Sequence, residues 1–345
     1  MKVGIAGFSG SGKSTVFQWL TGVVPDPSRS QQGQMGKPEV PDPRLTFLSG
    51  LFKPKKTTAA KMEFLDTPGL NPSERRDNAR RLGIMRDADG LLIVLNGYSG
   101  GNLADELRKF RDEMLVADME IVMSRIDKLR DQLKKAKPAK EKERDQLEID
   151  ILTRINEGFE EGQPASALGL KEDEEKAVRS FQLLTLKRQL VFVNQGDDQG
   201  GKELPKDLLE LAPDAVAAPA KLEMELSELS DEDRKAFMSD MGVTGFSRDE
   251  VVRQIFAGMG LIVFFTVGED ECRAWPIING VSAMEAAGAI HTDLSRGFVR
   301  GEVVGYDDFV ACGSMKEAKT RGLYRLESKT YIVKDADIMH ILAST

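Results

Sequence analysis

Residues 3–15 read VGIAGFSGSGKST, and this stretch constrains the fold more than any other part of the chain. A short apolar strand leads into Gly7-x-x-x-x-Gly12-Lys13-Ser14, and an apolar-patterned helix follows, which is the context that a phosphate-binding P-loop requires. Glycines let backbone N–H groups turn inward on phosphates, the helix N-terminus adds positive potential, Lys13 reaches the β- and γ-phosphates, and the Ser14 hydroxyl can ligate Mg²⁺. We therefore predict that the phosphate site is formed by Gly7, Phe8, Ser9, Gly10, Ser11, Gly12, Lys13, Ser14 and Thr15.

A second acidic element separates switch NTPases from kinases of small metabolites. The segment KMEFLDTPGL reads as a strand that ends at Asp66 and continues into Thr67-Pro68-Gly69. We expect Asp66 to hold the Mg²⁺ shell and the Gly69 N–H to sense the γ-phosphate, so that the loop changes shape with the nucleotide. A lone Asp-x-x-Gly is often only a turn, but its position at a strand end about fifty residues after a P-loop favours a switch.

Two continuous apolar runs, GLLIVLN at 90–96 and QLVFVN at 189–194, predict parallel strands that are covered on both faces. Asn194 and Asp197 follow the second run, where many GTPases carry Asn-Lys-x-Asp, but Gln195 replaces the lysine. A carboxylate at the fourth position accepts from two adjacent donors of guanine, so we expect modest GTP preference over ATP. The alternative is a polar turn without function. The remaining predicted base-binding residues are Pro219, Ala220 and Lys221.

A helical hairpin is predicted between these two strands. Apolar residues recur at spacings of three and four from Leu107 to Leu133, and a second stripe of Leu147, Ile151, Ile155 and Phe159 follows Pro138. Around the tip, residues 128–144 carry eight basic side chains against three acidic ones. Two interpretations stay open: contact with RNA, or a solvated helical face with ion pairs along it.

Composition limits the classes of protein to which the chain can belong. With 345 residues, two or three domains are expected. The net charge of −8 disfavours a generic polyanion binder, and two cysteines disfavour both a disulfide framework and a structural zinc site. The longest apolar run, GLIVFFTVG, is much shorter than a membrane helix needs. We expect a soluble, cytoplasmic monomer that does not engage membranes.

The C-terminal third contains the most distinctive segments of the sequence: RAWPI, AAGAIHTDLSRGFVRGEV and YDDF. Together with the P-loop, VPDPRL, LFKPKKT, the Asp-x-x-Gly loop and the helical insertion, they resemble the YchF subfamily of Obg-related GTPases. The resemblance implies an α/β fold in three parts: a G domain with a mostly parallel sheet (1–102 and 181–257), an antiparallel coiled-coil hairpin (103–180), and a β-grasp TGS domain (258–345). It also implies slow hydrolysis of ATP or GTP, and ribosome association through the hairpin and the TGS domain.

His291 and Asp293 in IHTDLSRGF have no second histidine or phosphate loop near them in sequence. We therefore expect a structural or partner-contacting role for them rather than a catalytic one. Apolar and β-branched runs at GLIVFFTV and KTYIVKD, punctuated by glycines, suit a small mixed sheet in this third.

Four departures from the family pattern limit which family properties can be expected of this chain. Gly10-Ser11 replace Asn-Val in the P-loop, so potassium assistance is not expected. The Mg²⁺-binding threonine of switch I would fall near Ser30. NPSERRDNARR replaces a glycine-rich stretch after the Asp-x-x-Gly loop, and Asn194 to Asp197 replace Asn-x-x-Glu. These differences suggest a divergent paralogue.

The sequence thus predicts a Mg²⁺-dependent nucleoside-triphosphate switch with slow GTP or ATP hydrolysis that engages the translation machinery. The rival hypothesis is a nucleotide-gated binding protein whose hydrolysis has decayed. A small-molecule kinase is disfavoured by the Asp-x-x-Gly element.

Overall fold

The computed structural model of the chain describes residues 1–29, 32–197, 199, 202–230, 232, 233, 236, 238 and 247–344. The chain divides into two compact units, residues 1–36 with 63–246, and residues 37–62 with 247–345. The predicted hairpin falls in unit 1, and so does the predicted G domain except for residues 37–62 and 247–257. Segment 37–62, which the sequence-based division assigns to the G domain, groups with the C-terminal residues in unit 2.

In the described residues the elements are as follows. The strands are β1 (Lys2–Ala6), β2 (Gln34–Gly36), β3 (Glu39–Val40), β4 (Lys56–Thr58), β5 (Ala60–Lys61), β6 (Glu63–Asp66), β7 (Gly90–Gly97), β8 (Arg188–Gln195), β9 (Val216–Ala218), β10 (Leu261–Thr266), β11 (Glu271–Ile278), β12 (Phe298–Gly305), β13 (Arg325–Glu327) and β14 (Asp337–Ala343). The helices are α1 (Lys13–Thr21), α2 (Pro43–Phe52), α3 (Arg75–Arg86), α4 (Leu103–Leu133), α5 (Ala139–Glu160), α6 (Glu172–Val178), α7 (Lys206–Leu211), α8 (Ala220–Ser227), α9 (Arg248–Gly258), α10 (Ala283–Ile290), α11 (Thr292–Arg296), α12 (Tyr306–Cys312) and α13 (Met315–Thr320).

Unit 1 is built on a six-stranded sheet in the order β2-β6-β1-β7-β8-β9. Every pair is parallel except β2 with β6. The two apolar runs predicted as neighbouring strands pair over eight positions, from Gly90 with Arg188 to Gly97 with Gln195. The predicted mostly parallel sheet is therefore confirmed, and because the carboxyl ends of its strands share one edge, the loops after β1, β6, β7 and β8 meet there.

The insertion is the helical hairpin formed by α4 and α5. Asn102 caps α4 by accepting a hydrogen bond from the Asp105 N–H at 2.8 Å, and α5 begins directly after Pro138, which cannot continue a helix. Val122, Ile126 and Leu129 of α4 share a buried cluster with Ile149, Ile151, Leu152, Ile155 and Phe159 of α5. Leu147, which the sequence analysis placed in this stripe, is 62% exposed, and Ile149 lies in the core instead.

A buried carboxylate joins the hairpin to the sheet layer. Asp118 of α4 is fully buried and accepts from Arg86 Nη1 at 2.6 Å, from the Leu184 N–H at 3.1 Å and from the Thr185 N–H at 2.8 Å. The Thr185 hydroxyl adds a fourth bond at 2.7 Å. A buried charge is tolerated only when it is paired and hydrogen-bonded, and these donors meet that requirement.

Unit 2 contains a mixed sheet in the order β13-β12-β14-β10-β11-β4. Helix α10 packs on it through Ala283 and Ala286, which share a buried cluster with Phe264, Ile277, Val303 and Met339. Segment 37–62 belongs here because β4 pairs with β11 and Arg44 Nη1 lies 2.6 Å from Asp335 Oδ2. The KTYIVKD run is not a strand: Ile332 makes only an isolated bridge with Ser282.

His291 makes a capping contact in unit 2. Its Nδ1 accepts from the Asp293 N–H at 3.2 Å and caps α11, and both side chains are mostly exposed. The structural or partner-contacting role expected for the pair stays a prediction. In the part of the chain that the structure describes, no helix combines the length and the apolarity needed to cross a bilayer.

We predict that Arg86→Ala destabilises unit 1 by about 3 kcal/mol, because it leaves the buried Asp118 carboxylate with uncharged donors only. Arg108→Ala is the matched control: Arg108 pairs with Asp105 on the same helix, but both side chains are more than half exposed, so the expected cost is within about 1 kcal/mol. Urea unfolding followed by helical circular dichroism measures both. Equal midpoints for the two variants would show that the buried pair does not support the fold.

Candidate functional site: the P-loop edge of the parallel sheet

The P-loop spans Gly7–Gly12 between β1 and α1. Gly12 has φ 85°, and a Cβ there would lie 2.1 Å from Asn194 Nδ2, so glycine is required on both conformational and steric grounds. Lys13 Nζ donates to the Phe8 carbonyl at 2.6 Å, and the Ser11 N–H donates to the same oxygen at 3.3 Å. Two donors thus converge on one point inside the loop.

Lys13 is 6% exposed. Burial lowers the pKa of its ammonium group to about 8, while the nearby Asp66 and Glu106 carboxylates oppose that shift. Desolvation disfavours an isolated ammonium charge, and an anion brought into the loop would compensate for it. The predicted phosphate residues are therefore continuous in the structure: Gly7 to Gly12 form the loop, and Lys13 to Thr15 begin α1.

Ser14 and Asp66, the predicted metal ligands, are brought together at this edge. The Ser14 hydroxyl donates to Asp66 Oδ2 at 2.9 Å, and Asp66 Oδ1 is buried without a hydrogen-bond partner. Burial raises the pKa of Asp66, with the Ser14 hydroxyl and the Lys13 charge acting against it. One hydroxyl and one unsatisfied carboxylate oxygen beside a phosphate loop are the oxygen donors that Mg²⁺ takes from protein in such sites, so these residues fit the ion. Ser30, the third predicted ligand, lies outside the described residues.

The Asp-x-x-Gly loop lies directly against the P-loop. The Ser9 N–H donates to the Leu70 carbonyl at 2.8 Å, and the Leu70 N–H donates to the Gly7 carbonyl at 3.1 Å. A Cβ on Gly69 would lie 2.6 Å from Lys13 Nζ and 2.8 Å from Ser9 N. Gly69 is thus placed beside the phosphate residues as predicted, and its lack of a side chain permits this approach.

The predicted base residues fall at the ends of β8 and β9. Asn194 Nδ2 donates to the Ser11 carbonyl at 3.3 Å, and Asn194 pairs with Ala218, which brings Pro219 next to it. Ala220 is buried, and Lys221 projects outward near Glu225. Asp197 is exposed in the turn after β8, where a ligand can reach it.

Gln195 does not extend toward the P-loop. Its side chain is 6% exposed and its Nε2 donates to the Lys202 carbonyl at 3.3 Å. Its side chain therefore bonds to the loop after β8, whereas the side chain of Asn194 bonds to the P-loop.

Sequence reasoning missed three residues near the end of β7 and at the start of α4, namely Asn96, Tyr98 and Glu106. Asn96 Nδ2 donates to the Gly10 carbonyl at 3.4 Å, and the Tyr98 hydroxyl donates to the same oxygen. The Asn96 N–H donates to the Glu106 carboxylate at 3.1 Å, and burial raises the pKa of Glu106. The signal was available: β7 lies between β1 and β8, so the residues that follow it must reach the same edge.

This geometry can be set beside known proteins. In an alignment of 365 positions, the chain is 33% identical to the "Ribosome-binding ATPase YchF" of Bacillus subtilis (strain 168). The alignment covers 99% of this chain and 98% of that protein. The chain belongs to the YchF family. The YchF protein of Haemophilus influenzae, which has the same name, is 31% identical over 98% of both chains. The predicted family is confirmed.

Two family models and one solved YchF structure also match the chain. Residues 2–128 match the model described as "50S ribosome-binding GTPase", and residues 261–344 match the C-terminal YchF model, described as "Protein of unknown function (DUF933)". The YchF GTPase of Schizosaccharomyces pombe shares the fold with a TM-score of 0.80 at 24% identity, over 99% of this chain and 97% of that one. The predicted α/β fold class is confirmed.

In this YchF family member we predict that Gly69→Ala separates the Asp-x-x-Gly loop from the P-loop. The Lys13 end can move aside, but the Ser9 backbone cannot, and overpacking of this kind costs about 1–3 kcal/mol. Amide exchange at Ser9 and Leu70 should rise about tenfold or more, measured by hydrogen–deuterium exchange. Gly83→Ala in α3 is the control, because its Cβ would meet nothing within 4 Å. Unchanged exchange in both variants would refute the close contact.

Proposed function

We propose that this protein is a Mg²⁺-dependent nucleoside-triphosphate switch that hydrolyses GTP or ATP slowly and binds ribosomal particles. The observation that carries the proposal is the direct bonding of the Asp-x-x-Gly loop to the P-loop beside Lys13, Ser14 and Asp66. These residues are the parts that a phosphate-sensing switch needs, in contact with one another.

The chain's own groups account for phosphate binding. Lys13 Nζ and the Ser11 N–H already converge on one carbonyl oxygen, so a phosphate oxygen offers them a stronger, charged acceptor. Ser14 and Asp66 would hold Mg²⁺, which neutralises charge on the phosphates when bound. The buried Lys13 ammonium gains the counter-charge that its surroundings supply only in part.

The proposed switching follows because a terminal phosphate and the Leu70 carbonyl would compete for the same backbone N–H, that of Ser9. The Ser9 N–H and Gly69 lie where a terminal phosphate would approach, so the bonds to Leu70 respond to the number of phosphates. Beyond Leu70 the chain is pinned to α3, because the Asn71 N–H donates to Asn78 Oδ1 at 3.0 Å and Asn78 Nδ2 donates to the Asn71 carbonyl at 2.9 Å. Movement of the loop is therefore passed to the helix.

Hydrolysis is expected to be slow because the residue after Asp-x-x-Gly is Leu70. It is fully buried in an apolar cluster, and its side chain has no polar atom to orient a water molecule. A rate test by Leu70→Ala would be confounded, since emptying this core site costs about 2–5 kcal/mol of stability. Gly10 offers no side-chain oxygen either, so little stimulation by potassium is expected.

The proposal that ribosomal particles are the partner rests on the names of the relatives and on the basic residues at the hairpin tip. The curated relatives are named ribosome-binding ATPases. In this chain the hairpin tip presents basic side chains of which Lys134 and Lys137 are paired with Asp131 and Asp145, so the surface is partly neutralised. We propose that the hairpin and the C-terminal β-grasp TGS domain contact ribosomal RNA or protein, that the protein acts in the cytoplasm, and that it does so as a monomer.

The test compares Lys13→Ala with Lys206→Ala, an exposed lysine of the same unit. Loss of the buried ammonium should weaken Mg·GTP and Mg·ATP binding by about tenfold to a hundredfold in calorimetry, because hydrogen bonds to charged groups contribute about 1.5–3 kcal/mol. Lys206→Ala should bind as wild type. Both variants must retain the wild-type circular dichroism spectrum.

The same proteins are then sedimented with ribosomal particles. Wild type should pellet to different extents with a non-hydrolysable triphosphate and with a diphosphate, whereas Lys13→Ala should pellet equally in both. Turnover by the isolated wild type should stay below about 1 s⁻¹. Nucleotide-dependent pelleting with no turnover, even in a single-turnover assay with particles present, would favour the binding-only hypothesis. Equal pelleting of wild type in both nucleotides would reject the switch.

Base preference gives a further prediction, made from the exposed Asp197 carboxylate. Guanine offers it two adjacent donors that adenine lacks, so GTP should bind more tightly than ATP by about 1–3 kcal/mol. Asp197→Asn should weaken GTP and strengthen XTP, because xanthine presents an acceptor where guanine presents an amine. Competition binding with GTP, ATP and XTP measures the order.

Asp214→Asn, at another exposed turn of unit 1, is the control for surface charge. Tighter binding of ATP by wild type, with an unchanged order in Asp197→Asn, would show that this carboxylate does not contact the base.

A further inference from the structure

A groove in unit 1 lies between helices α3 and α4. It has a volume of about 470 Å³, and its apolar lining includes Leu82 of α3 and Ala117 and Ile121 of α4. Val116 of α4 also lines it, and its side chain is 53% exposed. A single exposed apolar residue on a surface needs no explanation, but a groove that gathers several of them is typical of an interaction site.

Acidic side chains on the α4 side of this groove recur at a helical spacing. Glu113 and Glu120 line the groove, and Asp127 follows seven residues later on the same helix. Val116 and Met123, which is 48% exposed, are also seven residues apart and lie between them. Because residues seven apart share one face of a helix, these five residues form a stripe, called the acidic stripe below, in which acidic and apolar side chains alternate.

The carboxylates on this side of α4 are not neutralised from within the part of the chain that the structure describes. Four of them take part there in no ion pair or side-chain hydrogen bond: Asp112, Glu113, Glu120 and Asp127. The cation that lines the groove, Arg86, is bonded to the buried Asp118. Lys109 precedes Glu113 by one helical turn, so the charge along this face of α4 remains negative.

The signs of these charges and the apolar lining together indicate the chemistry of a partner. Carboxylates repel the phosphates of RNA, whereas lysine or arginine side chains would gain ion pairs beside the groove. An α-helix with apolar residues every seven positions and basic residues next to them matches the acidic stripe in both spacing and charge, as charges that flank a coiled-coil seam do. The surface therefore fits a basic amphipathic helix better than it fits a nucleic acid.

We propose that the α3–α4 groove and the acidic stripe form a docking surface for a basic amphipathic helix of a partner protein. The identity of the partner rests on the proposed function: on this face, the protein chains of a ribosomal particle are bound rather than its RNA. The position of the groove suits a switch, because Asn78 near the start of α3 is bonded to Asn71, and Arg86 at its end is bonded to Asp118 of α4. A helix in the groove contacts α3 and the hairpin at once.

The first test uses a synthetic amphipathic helix with leucine at heptad spacing and lysine at the flanking positions, and a counterpart with glutamate in place of each lysine. In fluorescence anisotropy, wild type should bind the lysine peptide but not the glutamate peptide, and added salt should weaken binding. Glu113→Lys with Glu120→Lys should weaken binding about tenfold or more, because like charges then face each other. Asp150→Lys with Glu157→Lys, at exposed positions seven apart on α5, changes the net charge equally and should bind as wild type.

The second test uses ribosomal protein freed of RNA and ribosomal RNA freed of protein, both from purified particles. Glu113→Lys with Glu120→Lys should lose ribosomal protein but keep RNA, whereas the α5 control should keep both. Each variant must match wild type in circular dichroism and in affinity for Mg·nucleotide. Val116→Gln with Met123→Gln changes only exposed apolar side chains of the stripe. It should also lose the lysine peptide and decides the matter if the charge-reversed variant does not fold.

The outcomes separate this inference from the proposed function. Unchanged binding of the lysine peptide and of ribosomal protein by the stripe variants overturns the inference, as does loss of RNA instead of protein. A wild-type dimer that Glu113→Lys with Glu120→Lys dissociates would place a second copy on this surface and overturns it too. If wild type binds no nucleotide and pellets with no particles, the proposed function fails, while the peptide series still tests the groove. If only the stripe variants behave as wild type, the proposed function stands.

Discussion

Two backbone hydrogen bonds between Leu70 and the P-loop are the constraint on which the site depends. They run from the Ser9 N–H to the Leu70 carbonyl and from the Leu70 N–H to the Gly7 carbonyl. They join the loops after β1 and β6, and they form only because Gly69 has no side chain to meet Ser9. In the proposed function, a ligand that takes the Ser9 N–H changes both loops at once, so phosphate binding and the position of the Asp-x-x-Gly loop are one equilibrium.

A series of hydrogen bonds connects the Asp-x-x-Gly loop to the hairpin through α3. Asn71 is tied to Asn78 at the start of α3, and Arg86 at its end is tied to Asp118 of α4. The Asp118 carboxylate is fully buried with four donors, so this joint has one well-defined geometry rather than many. If the nucleotide changes the position of α3, then a partner bound to the hairpin must change the affinity for nucleotide by the same factor, because coupling free energy is reciprocal.

The sequence predicted what depends on local pattern. The P-loop turn, the parallel strands and the Ser14–Asp66 contact follow from glycine spacing, apolar runs and the rule that parallel strands share one functional edge. It did not predict what depends on distant pairing. Segment 37–62 joins unit 2 through β4 with β11 and through Arg44 with Asp335, partners more than 200 residues away. The bond from Tyr98 to Gly10 likewise depends on which strand lies next to β1.

The electrostatics of the site explain why hydrogen bonds from neighbouring strands are needed to hold the P-loop. Lys13 is buried enough for its pKa to fall to about 8, and the carboxylates of Asp66 and Glu106 offset only part of that cost. A poorly solvated cation is unfavourable until an anion lies beside it. Neutral hydrogen bonds hold the loop in its shape: Asn194 bonds to the Ser11 carbonyl, and Tyr98 bonds to the Gly10 carbonyl. A nucleotide that fits this shape then stabilises the folded unit, by about 2.7 kcal/mol at a hundred times its dissociation constant. The free energy of nucleotide binding at this edge therefore adds directly to the stability of the folded unit.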